Sequence, residues 1–205
     1  NTIIGALSGD AITSGATNTV VGPYAFKGNT TGSNNIAIGS DSLRYPDTED
    51  HNLAIGFQAL GGSGLAGGEY NIAIGNNALD ALTSGDHNVA IGYGAGTDLT
   101  GGGTNILVGY NAGANMTSAS ASIFIGFESG LAVTTNTENI GIGYRAGYAL
   151  TTGTSNTMFG YKAGLNATTA DYNVAIGYEA GSSLTTHNSD VLIGYQAGKA
   201  LSTGD

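Results

Sequence analysis

A short pattern of apolar and polar positions recurs along the whole chain, and residues 71–75, Asn-Ile-Ala-Ile-Gly, show it most clearly. Aligned on the glycine, successive copies lie 17 residues apart, except for one spacing of 19 between Gly56 and Gly75. The twelve glycines of the pattern are Gly5, Gly22, Gly39, Gly56, Gly75, Gly92, Gly109, Gly126, Gly143, Gly160, Gly177 and Gly194. A fixed short period predicts a repeat architecture, in which each unit buries its apolar side against its neighbours.

The first and third of the three residues between the asparagine and the glycine of each unit predict the secondary structure. The residue before the glycine is always apolar, and the residue two positions earlier is apolar or Thr. Side chains at i and i+2 share one face of a strand, and most of these residues are β-branched, which favours strand over helix. We therefore predict an all-β fold, a parallel β-solenoid or β-roll of twelve units of about 17 residues.

The prediction treats residues 1–205 as one repeat domain with an irregular coil near residues 57–74, where the two extra residues fall. A bulge or protruding loop is expected around residues 61–69. The repeat starts in phase at Asn1 and is nearly complete at Asp205, without a distinct capping sequence. We therefore expect this chain to be part of a longer protein.

The residue in the middle of each predicted strand is never polar. This column includes Ala37, Ala54, Ala73, Ala90, Leu107, Phe124, Met158, Ala175 and Leu192. A strand that is apolar on both faces is expected to be buried on both. We predict that the flanking column lines the inside of the coil, and that the middle column meets other copies of the chain around a symmetry axis.

A second apolar column lies seven residues after the glycine and should fill the coil from its other side. Its members are Ile12, Leu82, Leu99, Met116, Val133, Leu150, Ala167, Leu184 and Leu201. Asn29 and Pro46 interrupt this column in early units.

Asparagine opens nearly every unit, and Ser122 and Asp190 are the exceptions. The positions include Asn18, Asn35, Asn52, Asn71, Asn88, Asn105, Asn139, Asn156 and Asn173. Stacked asparagines can bond the backbone and the amide of the next coil, so we predict a structural ladder. An amide-lined ligand surface is the alternative reading.

From Gly92 onward, the residue after the glycine is aromatic, and the residue three positions further on is glycine. Earlier units often have a small residue first and a large one second. One interpretation is that each ring lies over that glycine and conserves core volume. The alternative is a sugar-stacking stripe formed by Tyr93, Tyr110, Tyr144, Tyr161, Tyr178 and Tyr195.

No pattern of residues indicates catalysis, a cofactor or a metal site. The three histidines occupy unequal positions in the repeat, the acids do not recur in every unit, and cysteine is absent. A threonine stripe (for example Thr100, Thr117 and Thr134) could bind ice, but its Gly and Ser neighbours favour a role in turns. We predict a non-enzymatic protein without cofactor.

Composition narrows the choice of partner. The formal net charge is −10 and the five basic residues are scattered, which argues against a nucleic-acid partner. No apolar run is long enough to span a bilayer, so no membrane insertion is expected. Charged residues make up 10% of the chain, with polarity supplied by Asn, Thr, Ser and Gly, as in many extracellular β-rich fibres.

Residues 88–93 and 173–178, both Asn-Val-Ala-Ile-Gly-Tyr, resemble the head repeats of YadA-type trimeric autotransporter adhesins, which usually have a shorter unit. The longer unit, as in residues 139–153, is similar to repeats in bacteriophage tail-fibre proteins. The resemblance implies a rigid homotrimer of β-rolls, intertwined or side by side, and carries over no site residues.

The expected function is a phage tail-fibre shaft or receptor-binding region, located outside the cell or on the virion surface. The alternatives are the head of a bacterial trimeric surface adhesin and a self-assembling extracellular filament, with ice binding fourth. The expected partners are further copies of the chain and a cell-surface glycan or protein receptor.

Overall fold

The computed structural model describes residues 1–45, 48–62, 65 and 67–201. Each coil contributes one three-residue strand followed by turns and bends, and none of these residues is helical. The strands are β1 Thr2–Ile4, β2 Thr19–Val21, β3 Ile36–Ile38, β4 Leu53–Ile55, β5 Ile72–Ile74, β6 Val89–Ile91, β7 Ile106–Val108, β8 Ile123–Ile125, β9 Ile140–Ile142, β10 Thr157–Phe159, β11 Val174–Ile176 and β12 Val191–Ile193. The chain is therefore an all-β solenoid of about 11 turns with about 17 residues per turn, as the repeat predicted.

The strands form one parallel sheet in chain order from β1 to β12. Equivalent residues pair directly, so that Ile72 lies beside Val89 in the next coil. The turns are also tied from coil to coil, for example by the Leu79 N–H donating to the Ala95 carbonyl at 3.0 Å. Nearly every part of a coil is thus bonded to the coil before or after it.

The 19-residue coil rejoins the sheet without a change of register, since Leu53 pairs with Ile72. The regular pattern continues to Gly61 and has resumed by Gly68, whose carbonyl accepts a bond from the Asn52 side chain. The predicted protruding loop involves residues 63, 64 and 66, which lie outside the described residues, as does Pro46. The insertion is therefore accommodated between residues 61 and 68.

The direction of the strand side chains is the reverse of the sequence prediction. The middle residue of each internal strand points into the coil, and Ala73 and Leu107 are fully buried. The first and third residues face outward, and Ile36 and Ile106 are each 38% exposed. The predicted oligomer face therefore lies inside the solenoid, apart from the partly exposed end-coil residue Leu192: Ala37, Ala54, Ala73, Ala90, Leu107, Phe124, Met158, Ala175 and Leu192.

The physical reason is the narrow interior of the coil. Alternation along a strand identifies which side chains share a face, but both faces here are apolar and either could have been turned inward. In six of the twelve coils the middle column holds Ala or Gly, which fit within a short distance of the opposite wall. The large β-branched side chains are left outside.

Where the middle strand residue is Leu, Phe or Met, the residue four positions after the glycine is itself glycine, and in several other coils a middle alanine accompanies a leucine there. Ala73 accompanies the buried Leu79, whereas Phe124 accompanies Gly130. A Cβ added at Gly130 would lie 2.4 Å from the Phe124 ring. The predicted exchange between the exposed aromatic residue and this glycine is therefore wrong, because the ring is outside the coil and a core side chain occupies the space.

The second apolar column lines the opposite wall as predicted. Leu99, Met116 and Leu150 are fully buried within the single core cluster. In the first and last coils this wall is incomplete, with Ile12 partly buried and Leu201 43% exposed. The core is thus a thin column enclosed between the strand and this wall.

The glycine after each strand is required by geometry. These twelve glycines have φ between 128° and 144°, a backbone conformation that side-chain-bearing residues rarely adopt. A Cβ added at Gly109 would also lie 2.3 Å from the carbonyl oxygen of Gly126 in the next coil. The glycine therefore permits the chain to leave the strand while the next coil approaches closely.

We predict that Gly109→Ala destabilises the protein by about 3 kcal/mol or more, because it combines a strained φ with a clash against backbone. Gly101→Ala is the matched control, since a Cβ there would meet only the Ser84 hydroxyl at 3.3 Å. It should change stability by less than about 1 kcal/mol. Chemical denaturation of both variants measures the difference, and equal stability would contradict the proposed role of the glycine row.

Candidate functional site

The largest distinctive surface is the outward side of the sheet, which we call the outer face and define as the first and third residues of β1 to β12. Apart from Thr2, Thr19 and Thr157, all of its side chains are apolar, and none is charged. Phe159, in the internal strand β10, is 51% exposed. Soluble proteins seldom leave such a continuous apolar surface uncovered.

A ladder of aromatic rings borders the outer face over its C-terminal part, separated from it along the chain by the glycine row. The ring ladder consists of Tyr93, Tyr110, Phe127, Tyr144, Tyr161, Tyr178 and Tyr195. Neighbouring ring centroids are 5.0 to 5.4 Å apart, and the planes differ by 7° to 12°. The rings stack because each coil presents the same position one strand spacing further along the rod.

The ring ladder exposes edges and hydroxyl groups rather than ring faces. Each internal ring has both faces covered by its neighbours, although these side chains remain 38% to 45% exposed. Stacking of a saccharide needs a free ring face. Within this ladder only the outermost face of Tyr93 or Tyr195 is not covered by a neighbouring ladder ring, so the ladder does not form an extended platform for sugar stacking.

The asparagine ladder predicted from the sequence is present, and it is buried. The Asn71 Oδ1 accepts the backbone N–H of Asn88 at 2.9 Å, and the Asn71 amide donates to the Gly85 carbonyl at 2.7 Å. The same pair of bonds recurs from coil to coil, with Asn18, Asn35, Asn52, Asn105, Asn139, Asn156 and Asn173. These amides are used inside the structure, which leaves no amide-lined ligand surface.

The hydroxyl groups of the threonine stripe also form hydrogen bonds with the backbone. The Thr100 hydroxyl donates to the Thr117 carbonyl of the next coil at 3.0 Å, and the Thr117 hydroxyl donates to the Thr134 carbonyl at 3.2 Å. Thr83, Thr151 and Thr168 make the equivalent bond. Turn chemistry therefore accounts for the stripe, and its hydroxyl protons are not free to organise water.

A further polar ladder was not predicted from the sequence, because its acids do not recur in every unit. It lies two positions before the asparagine. There the Asp171 carboxylate accepts the Thr154 N–H at 2.7 Å, and the Ser120 hydroxyl accepts the Gly103 N–H at 3.2 Å. The detectable signal was an oxygen-bearing side chain in this position in most units, with Asp, Ser and Asn interchanged.

Two of the three histidines, His51 and His87, join a short ring stack beside this ladder. His51 and Tyr70 have centroids 4.8 Å apart, and Tyr70 and His87 are separated by 5.1 Å. An open depression of about 430 Å³ adjoins His87, where Gly103 takes the position that Asp86 and Ser120 occupy in the neighbouring coils. Among the residues that the structure describes, no group of three or more His, Asp or Glu side chains could hold a metal ion.

Ion pairs form a separate surface row on the acids two residues after the glycine. Arg145 contacts the Glu128 carboxylate at 2.7 Å, and Lys199 bonds Glu179. The hydrogen bond from Lys199 lowers the pKa of Glu179, and the same bond raises the pKa of Lys199. These pairs link coils at the surface, where screening by water makes their stabilising effect small.

Comparisons with protein-family models, curated proteins and solved structures found no match to this chain. Over residues 1–45, 48–62, 65 and 67–201, no helix is long and apolar enough to cross a membrane.

We predict that Asn105→Ala lowers stability by about 3 kcal/mol, because it leaves the buried Ser122 N–H and Ala119 carbonyl without their side-chain partner. Asn105→Ser should lose less, since Ser122 itself accepts a ladder bond from the Asn139 N–H at 3.3 Å. Denaturation of both variants gives the ranking. If the alanine variant is as stable as the parent, the ladder is not a major source of stability.

Proposed function

We propose that this chain is a non-enzymatic structural and adhesive segment of a fibre, most consistent with a phage tail-fibre shaft or receptor-binding region. The main support for this proposal is that rows of polar side chains form hydrogen bonds between successive coils, as the Asn71 side chain does with the Asn88 N–H. Rows of this kind stiffen a rod along its length.

The arrangement of reactive side chains also supports a structural role. A catalytic site needs a nucleophile, a base and stabilising groups that converge on one point. In this solenoid, each type of side chain is repeated along the axis, and acids such as Asp86 and Asp171 accept backbone hydrogen bonds. The twelve coils span roughly 53 Å, taking about 4.8 Å per step between strands.

In this proposal the segment acts outside the cell or on the virion surface, as a homotrimer that carries or contributes to binding of a cell-surface glycan or protein. The number three rests on the resemblance of the repeats to trimeric adhesins and tail fibres. The head of a bacterial trimeric surface adhesin is the second candidate, because an exposed apolar sheet face suits that assembly equally well. A self-assembling extracellular filament is the third, and ice binding is disfavoured by the bonded threonine hydroxyls.

Electron microscopy and cell binding test this proposal together. We expect purified protein to form short rods of uniform length, roughly 53 Å for the described coils. Fluorescently labelled protein should bind bacterial cells saturably and be displaced by excess unlabelled protein.

Saturable binding to animal cells instead would favour the bacterial adhesin, and long polymers would favour the filament. Measurable turnover of a substrate, or a flexible particle instead of a rod, would contradict the structural function.

A further inference from the structure

We propose that the outer face is covered by the outer faces of further copies of the chain. This inference assigns a surface to the self-association included in the proposed function and rests on that part of it. The sequence predicted that copies meet through the middle residue of each strand. Ala73 and its equivalents are instead buried within their own coil, so the surface left for association is formed by the first and third residues.

The chemistry of the outer face fits the interior of a protein interface. Its central side chains, such as Ile72, Ile106 and Ile140, are β-branched, and each lies in register with the equivalent β-branched residue of a neighbouring strand. Charged residues are depleted in interface cores, and this face has none. The aliphatic side chains are held by the sheet, so that little side-chain entropy remains to be lost on association.

The period of the face identifies the partner. Ridges of isoleucine and valine recur at every coil, about 4.8 Å apart. A partner surface fills the furrows along the whole rod only if it has the same spacing over many steps. A second copy of this chain has that spacing by construction, and interdigitating identical ridges are known to form dry interfaces between sheets.

The size of the face is sufficient for a stable contact. The outer face is roughly 53 Å long and roughly 10 Å wide, so a pair of outer faces would bury roughly 1,100 Å² in total, just above the roughly 1,000 Å² that a specific interface needs. Burying only one end of the rod would fall well below that area. The contact therefore has to run along most of the sheet.

The distribution of charge selects the same surface. The chain has a net charge of −10, and its acids lie on the turn side, including Glu69, Asp86 and Asp98. Two copies that approached through those turns would bring like charges together. The outer face is the large surface on which such repulsion is least.

The test is the native mass of the full chain, measured by light scattering behind a sizing column over a wide range of concentration. We expect the parent protein to have two or three times the chain mass of 20.3 kDa. The variant Ile72→Lys, Ile106→Lys, Ile140→Lys places a charge on alternate coils of the outer face and should be monomeric.

The matched control is Ala81→Lys, Asn115→Lys, Ala149→Lys, which adds three lysines on the same coils but outside the outer face. It should keep the parent mass. A milder variant, Ile72→Thr, Ile106→Thr, Ile140→Thr, guards against unfolding, because Thr already occupies this column at Thr19 and Thr157. Its association should be weaker by about tenfold or more, since apolar area is lost from each copy.

A monomeric parent protein at all concentrations would overturn this inference, while rods that still bind cells would leave the structural and adhesive function standing. An oligomer that survives both outer-face variants would also overturn it and would show that copies meet through another surface. Failure of cell binding with the expected masses would instead reject the adhesive function and retain the interface.

Discussion

Backbone hydrogen bonding between successive coils, repeated at every strand spacing, is the interaction on which the rest of this structure depends. It requires each coil to follow nearly the same path as the last, so a residue that suits one coil must suit its equivalents. The glycine row illustrates the constraint, because the Gly109 Cα faces the Gly126 carbonyl too closely for any side chain. The same path places non-glycine residues such as Asn77, Leu79 and His87 at positive φ. Such strain persists only where surrounding bonds determine the backbone.

Repetition along one axis also determines where function can lie. In a solenoid, a residue type that recurs at the same position of every unit forms a row along the axis. Such rows produce long surfaces rather than pockets in which different side chains converge. Three rows of polar side chains are used to bond coils together, through Asn88, Thr100 and Asp171 among others. The rows left for contact with other molecules are the apolar outer face and the edges of the aromatic ladder.

These two surfaces differ in what they can recognise. In the aromatic ladder the rings stack on one another, so their faces are covered and only their edges and hydroxyl groups can contact a partner. The hydroxyl groups can form hydrogen bonds with that partner. The outer face has no internal partner in a single chain, although it contains Ile36, Ile106 and the half-exposed Phe159. Removing this apolar surface from water would stabilise an assembly of several chains through the hydrophobic effect. Self-association and adhesion can therefore use different sides of one rod.

The sequence alone determined the period, the strand positions, the parallel order of the coils and the hydrogen-bonding role of the asparagines. Each of these follows from local chemistry repeated at a constant spacing, as in the Asn71 and Asn88 pair. The burial of Leu99 and Leu150 was predictable for the same reason, since their column is apolar in most units. Only the tertiary structure decided which apolar face of the strand turns inward. Ala73 and Ile72 are both apolar, and alternation along a strand shows which side chains share a face but not which face is buried. The tertiary structure also decided that Phe124, rather than an outer ring, fills the space beside Gly130, because that contact depends on the width of the coil, which no spacing along the chain records.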